Sequence, residues 1–205
     1  MTDEKLQDDI GVAVTTDASP EVRGLRDKFG DQVLDVVAGL DCEVVTLARE
    51  SIADACHFLK NEQGYEQMMD LCGVDNSELP GWSDANPRFE VVYNLLSISH
   101  NKRIRIKVGA NERDLVDSVT EVWPTANWFE REAFDMYGII FNNHPDLRRI
   151  LTDYGFEGYP LRKDFPMMGR VEMFFDEAQW RCVYRPNKLE ERILIERTWP
   201  GVDRG

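Results

Sequence analysis

The sequence predicts an α+β fold: one mixed β-sheet with helices packed on it, followed by a long irregular C-terminal arm. Three observations carry the prediction. Extended runs come in groups with helical runs among them, not in strict strand–helix alternation. In Arg103–Val108, charged Arg103, Arg105 and Lys107 alternate with Ile104, Ile106 and Val108, as a sheet buried on one face requires. After Phe141 neither period persists, and five of the nine prolines fall in the last 64 residues. The expected organisation is a loose tail over 1–19, an α+β domain over 20–141 and an extended, partner-wrapping arm over 142–205.

The elements follow in order. Ser19-Pro20-Glu21 reads as a helix start, with Ser19 as cap and Pro20 in the first turn. Val22, Leu25 and Phe29 give that helix an apolar stripe, and Gly30 can end it. Val33–Val37 and Glu43–Leu47 are β-rich runs joined at Gly39-Leu40-Asp41. A second helix spans Ser51–Gln63, where Ile52, Ala55, Cys56 and Leu59 recur at helical spacing before Gly64. Glu66–Val74 is the next strand. Phe89–Ile98 is apolar enough for a central one, and Ser99–Lys102 turns it into the alternating run. Asp114–Glu121 is expected to be a helix, and Pro124 to open another that runs to about Tyr137. Within the arm only Trp180–Arg185 and Arg192–Arg197 look extended. Its many aromatics, among them Tyr154, Tyr159, Phe174 and Trp180, suit an interface better than a disordered segment.

Charge and cysteine usage narrow the functional classes. The net charge is −14, and residues 1–140 hold 13 Lys+Arg against 27 Asp+Glu, which argues against nucleic-acid binding. The first twenty residues are acidic and polar, unlike a signal or transit peptide, so the chain is expected to stay in the cytosol or to be a mature form. No apolar run is long enough for a membrane helix. Cys42, Cys56, Cys72 and Cys182 form no C-x-x-C pair and read as reduced, partly buried thiols, with a disulfide as the alternative. There is no P-loop, G-x-G-x-x-G, G-x-S-x-G or H-E-x-x-H, and so no sign of a nucleotide, flavin or metal site.

The chemistry-bearing side chains crowd into EREAFDMYGIIFNNHPDLRRIL, residues 130–151. On a helix turning about 100° per residue, Glu130 falls on the apolar side while Arg131, Glu132 and Asp135 form the polar side. A buried carboxylate needs a partner, and Arg148, Arg149 and Arg162 are the nearest cations in sequence. Glu130 and Glu132 point roughly 160° apart at that pitch, so they cannot share a substrate. The stretch therefore reads as an ion-pair network pinning the arm to the helix, with His144 a turn residue beside Pro145. The competing reading is a small hydrolase or metal-dependent catalyst built on Glu132, Asp135 and His144.

Glu130-Arg131-Glu132, then Asp135, Met136-Tyr137-Gly138, His144 and the run PDLRRILTDYGFEGYPLRKDFP closely resemble the signature of the NuoC family. That family belongs to bacterial and mitochondrial respiratory complex I, the proton-translocating NADH:quinone oxidoreductase. The likeness is almost continuous over 127–166. It implies a non-redox core and assembly subunit of the peripheral arm, docked beside the quinone-site subunit. Electrons would pass from NADH to quinone through FMN and iron–sulfur clusters held by other subunits. The implied partners are NuoD-like, NuoB-like and NuoI-like subunits, and the implied location is peripheral, on the cytoplasmic side of the bacterial inner membrane or the mitochondrial matrix side. No catalytic, cofactor or metal residue is expected in this chain. The implied interface signature comprises Glu130, Arg131, Glu132 and Asp135, then His144, Pro145, Arg148 and Arg149, and finally Tyr159, Arg162, Lys163, Asp164 and Phe165. The alternative is the equivalent subunit of a related membrane-bound hydrogenase or ferredoxin:quinone complex.

Overall fold

The computed structural model describes residues 19–188. Most of the expected 1–19 tail, and the run Arg192–Arg197, lie outside the described residues. Helix α1 spans Pro20–Phe29, with the Ser19 hydroxyl accepting from the Val22 amide at 3.3 Å and Gly30 ending it at φ +51°. Strand β1 (Val33–Ala38) pairs antiparallel with β2 (Glu43–Leu47). Helix α2 (Ile52–Asn61) leads to a meander of β3 (Gln67–Asp75), β4 (Phe89–Ser97) and β5 (Lys102–Ala110). The sheet order is β1-β2-β5-β4-β3, antiparallel except for β2 beside β5. The mixed sheet is as expected, and β4 is an interior strand of it, flanked by β3 and β5.

Period-two alternation decides which face is buried. Phe89, Val91, Tyr93 and Leu95 of β4 stand beside Ile104, Ile106 and Val108 of β5, all on the inner face and all essentially inaccessible. Val22 and Leu25 of α1 and Ile52, Ala55, Cys56 and Leu59 of α2 join the same core. All four cysteines are free. Cys56 is buried and Cys42 half-buried, but Cys72 and Cys182 are exposed, not partly buried.

The expected helix over Asp114–Glu121 does not form. Leu115–Asp117 is strand β6, paired in parallel with β7 (Ile140–Asn142). Val116, Val119 and Val122 are buried three apart, which imitates a helical stripe. Their amide surroundings explain the difference: Ser118 N–H donates to Asn142 O and Val119 N–H to a carboxylate, so the donors that a helix would use are taken elsewhere. Helix α3 covers Ala126–Tyr137, two residues later than the Pro124 start. It ends at Gly138 with φ +78°, where a Cβ would stand 2.6 Å from the Arg162 guanidinium and 2.7 Å from the Tyr159 ring. Only glycine fits there.

The chain divides into two compact units between Lys163 and Asp164. Residues 142–163, assigned from sequence to the arm, therefore belong with the first unit. The second unit is not without period either. It contains a hairpin of β8 (Val171–Asp176) and β9 (Arg181–Pro186), of which only β9 was expected. Asp176 shapes the connection by accepting from Ala178 and Gln179 amides, and Trp180 sits edge-on to Phe175.

Candidate functional site

The residues singled out from sequence converge on α3 and the loop 145–163, and Asp135 is the centre of that arrangement. Its side chain is fully buried. One carboxylate oxygen accepts from the amides of Ile150, Leu151 and Thr152 at 3.0, 2.8 and 2.8 Å. The other accepts from Arg149 Nη1 at 2.9 Å and from the Thr152 hydroxyl. Burial alone would raise the pKa, but the Thr152 hydroxyl and the three amides outweigh it and hold the group at about 2. Asp135 is therefore a permanent anion that captures the backbone of residues 150–152.

Further clips extend the attachment. Arg131 of α3 donates to the carbonyls of Arg148 and Arg149 at 3.1 and 3.2 Å. Arg149 also donates to Gly158 O at 3.1 Å and faces the Tyr159 ring. Arg162 also lies over that ring, 4.3 Å from its centroid, and donates to Tyr137 O at the end of α3 and to Glu112. The Lys163 amide donates to Asp75 at 2.9 Å. Asp75 is buried at the end of β3, where burial opposes ionisation but Arg88 and the Lys163 and Ser77 amides bring it to about 2. Asp75 and Thr152 were missed from sequence. The available signal was Asp75 itself, a carboxylate in register with inward-facing Leu71 and Gly73.

Glu130 departs from expectation. It is buried, but no arginine reaches it. Its oxygens accept from the Val119 amide at 2.7 Å and the Ser118 hydroxyl at 2.6 Å, and His144 Nε2 stands 4.0 Å away. The cations expected to pair with it are engaged elsewhere: Arg148 with Asp146, Arg149 with Asp135 and Arg162 with Glu112. Two neutral donors compensate burial only in part, so the carboxyl is pushed up to about 7. His144 places Nε2 against Asn127 O at 3.1 Å and accepts the Asp146 amide on Nδ1 at 3.0 Å. A carbonyl only accepts and an amide only donates, so these partners put the ring proton on Nε2 and occupy both nitrogens.

Glu132, Asp135 and His144 do not form a catalytic set. Asp135 is saturated, the His144 ring is occupied, and Glu132 faces outward. Among the described residues no group of three or more His, Cys, Asp or Glu is placed to hold a metal ion. Pro145 is exposed in the turn before the loop, while Asp164 and Phe165 belong to the second unit. What the arrangement does chemically is fix a loop on a helix.

The family model for the respiratory-chain NADH dehydrogenase 30 Kd subunit matches residues 45–171, which include α3 and the whole clipped loop. The chain belongs to this family. Among its relatives, the C subunit of NADH-quinone oxidoreductase from Acidithiobacillus ferrooxidans is 51% identical over 156 residues, 75% of this chain and 77% of that protein. The counterpart of the same name from Coxiella burnetii is 42% identical over 202 residues, covering 85% and 89%. Among solved structures, a trypsin-resistant fragment of Nqo5 aligns with a TM-score of 0.54 and 31% identity, over 62% of this chain and 98% of the fragment. A chain of an archaeal membrane-bound sulfane sulfur reductase aligns with a TM-score of 0.58 over 72% of this chain and 84% of its own; at 22% identity it shares the fold alone. Among the described residues of this 30 Kd-subunit family member, no helix is long and apolar enough to cross a membrane.

Proposed function

We propose that the chain is a structural subunit of the peripheral arm of NADH-quinone oxidoreductase, in which it holds neighbouring subunits in register and carries no electrons itself. The observation behind this reading is that the charged side chains meeting at the α3–loop junction, Asp135, Arg131, Arg149 and Arg162, are engaged within the chain. Asp135, Arg131, Arg149 and Arg162 each bind backbone of the chain itself, and together they present residues 145–163 as a rigid surface. NADH oxidation, electron transfer through FMN and iron–sulfur clusters, and quinone reduction would then occur in partner subunits. The partners are the quinone-site subunit and the small cluster-bearing subunits, of the NuoD, NuoB and NuoI type. The assembly would sit peripherally on the cytoplasmic side of a bacterial inner membrane.

The test separates assembly from turnover. Arg149→Ala should lower the amount of assembled complex recovered from membranes on native gels, with NADH:quinone activity per assembled complex unchanged. Normal assembly with collapsed turnover would overturn the proposal.

A further inference from the structure

Beside the clipped loop lies an open groove of about 660 Å³. Trp128, Phe129 and Glu132 of α3, with Pro124 just before the helix, line one wall, and Ile150 and Leu151 of the clipped loop line the other. The groove is a built feature. Ile150 and Leu151 are held in place through their amides by the buried Asp135 carboxylate, so the wall exists before anything binds. Trp128 is 71% exposed and Leu151 64%, an unusual pair of large apolar side chains to leave in water on one contiguous surface. A small-molecule pocket buries most of its ligand in a concave cavity. A lip as open as Trp128 instead suits the centre of a protein interface, where tryptophan is a frequent anchor.

Charge selects the occupant. Glu132 is the one charged group in the lining; it is exposed, and among the described residues it has no ion-pair partner. It belongs to a chain of net charge −14. We infer that the groove receives an amphipathic segment of another subunit of the same complex, which inserts an apolar side chain against Trp128 and Leu151 and brings a Lys or Arg to Glu132. This deepens the assembly reading and rests on it. A lone carboxylate on an apolar wall gives register as well as attraction, because a like charge brought against it would be repelled.

The experiment uses the assembled complex. A photo-reactive benzophenone side chain at position 151 is activated by light, and the cross-linked peptides are sequenced. The expected product joins this chain to a second subunit at an apolar residue with a Lys or Arg within about one helical turn. A cross-link to this chain's own residues 189–205, to a second copy, to lipid, or to a segment without a cation would overturn the inference. In parallel, Trp128→Ala and Glu132→Lys should each weaken incorporation of this subunit roughly tenfold or more, the effect of removing an interface anchor. If both variants incorporate normally while Arg149→Ala does not, the groove proposal falls and the scaffold reading stands.

Discussion

Two acidic residues five positions apart on one helix show how burial has opposite consequences when the donors differ. Asp135 receives three amides, a hydroxyl and a guanidinium and stays ionised at about 2; Glu130 receives one amide and one hydroxyl and is pushed up to about 7. Asp135→Ala would leave three amides and the Thr152 hydroxyl without their carboxylate acceptor and Arg149 without its counter-ion. Removing one partner of such a buried pair costs about 3–5 kcal/mol, and for a chain of this size the melting temperature should fall by roughly 10 °C. Thermal denaturation of the purified chain checks this. The pH dependences run in opposite directions. Asp135 and Asp75 bind fewer protons folded than unfolded, so they stabilise the fold above about pH 4, and that contribution disappears as pH falls towards about 2. Glu130 binds more protons folded than unfolded, so its contribution is full below about pH 4 and is lost as pH rises through about 7. Glu130→Gln keeps an acceptor for Val119 and offers a donor to Ser118. The difference in stability between the variant and the parent should therefore grow in the variant's favour between about pH 5 and 8, measured by urea denaturation. A difference independent of pH would contradict the assignment.

At the scale of elements, α3 and its terminus organise the site. Gly138 permits the left-handed turn and the close approach of Arg162 and Tyr159, which let Arg162 close on Tyr137 O and the Leu161 amide on Met136 O. Gly138→Ala should cost about 1–3 kcal/mol in backbone strain alone, plus displacement of those two side chains. Hydrogen exchange should accelerate at Leu161 and Arg162, with the β4 amides unchanged. The same helix shows where sequence reasoning succeeds and where it stops. Its apolar side and its end at about Tyr137 are local patterns and were legible. The burial of Asp135 was not: the angular projection put it on the polar side, and only the distant residues 149–152 folding over it make that side interior. Likewise, Val116, Val119 and Val122 carry a helical spacing that a strand pairing to β7, more than twenty residues away, overrides.

For the whole molecule, the relevant division is at Lys163/Asp164, not at the change of texture near Phe141. The first unit holds the sheet, the three helices and the clipped loop. Because the boundary between the two units falls at Lys163/Asp164, and Lys163 and Arg170 are both exposed, limited trypsin digestion of the purified chain should yield a stable N-terminal product ending at one of them before any cut inside β3–β5. Mass spectrometry of the early fragments decides this, and early loss of the sheet would refute the two-unit description. The texture change misled because prolines and aromatics mark irregular backbone, not separate packing.

The amino-acid sequence alone was enough for the mixed sheet, the helices α1, α2 and α3, the crowded 130–165 region and the family. Alternation, caps and a long contiguous motif are local properties. Tertiary structure alone decided which carboxylate holds the loop, which one is left near neutrality, and that Trp128 and Leu151 share a groove. Those outcomes depend on donors and walls brought together from distant parts of the chain, and local pattern carries no record of which donor a buried acceptor will meet.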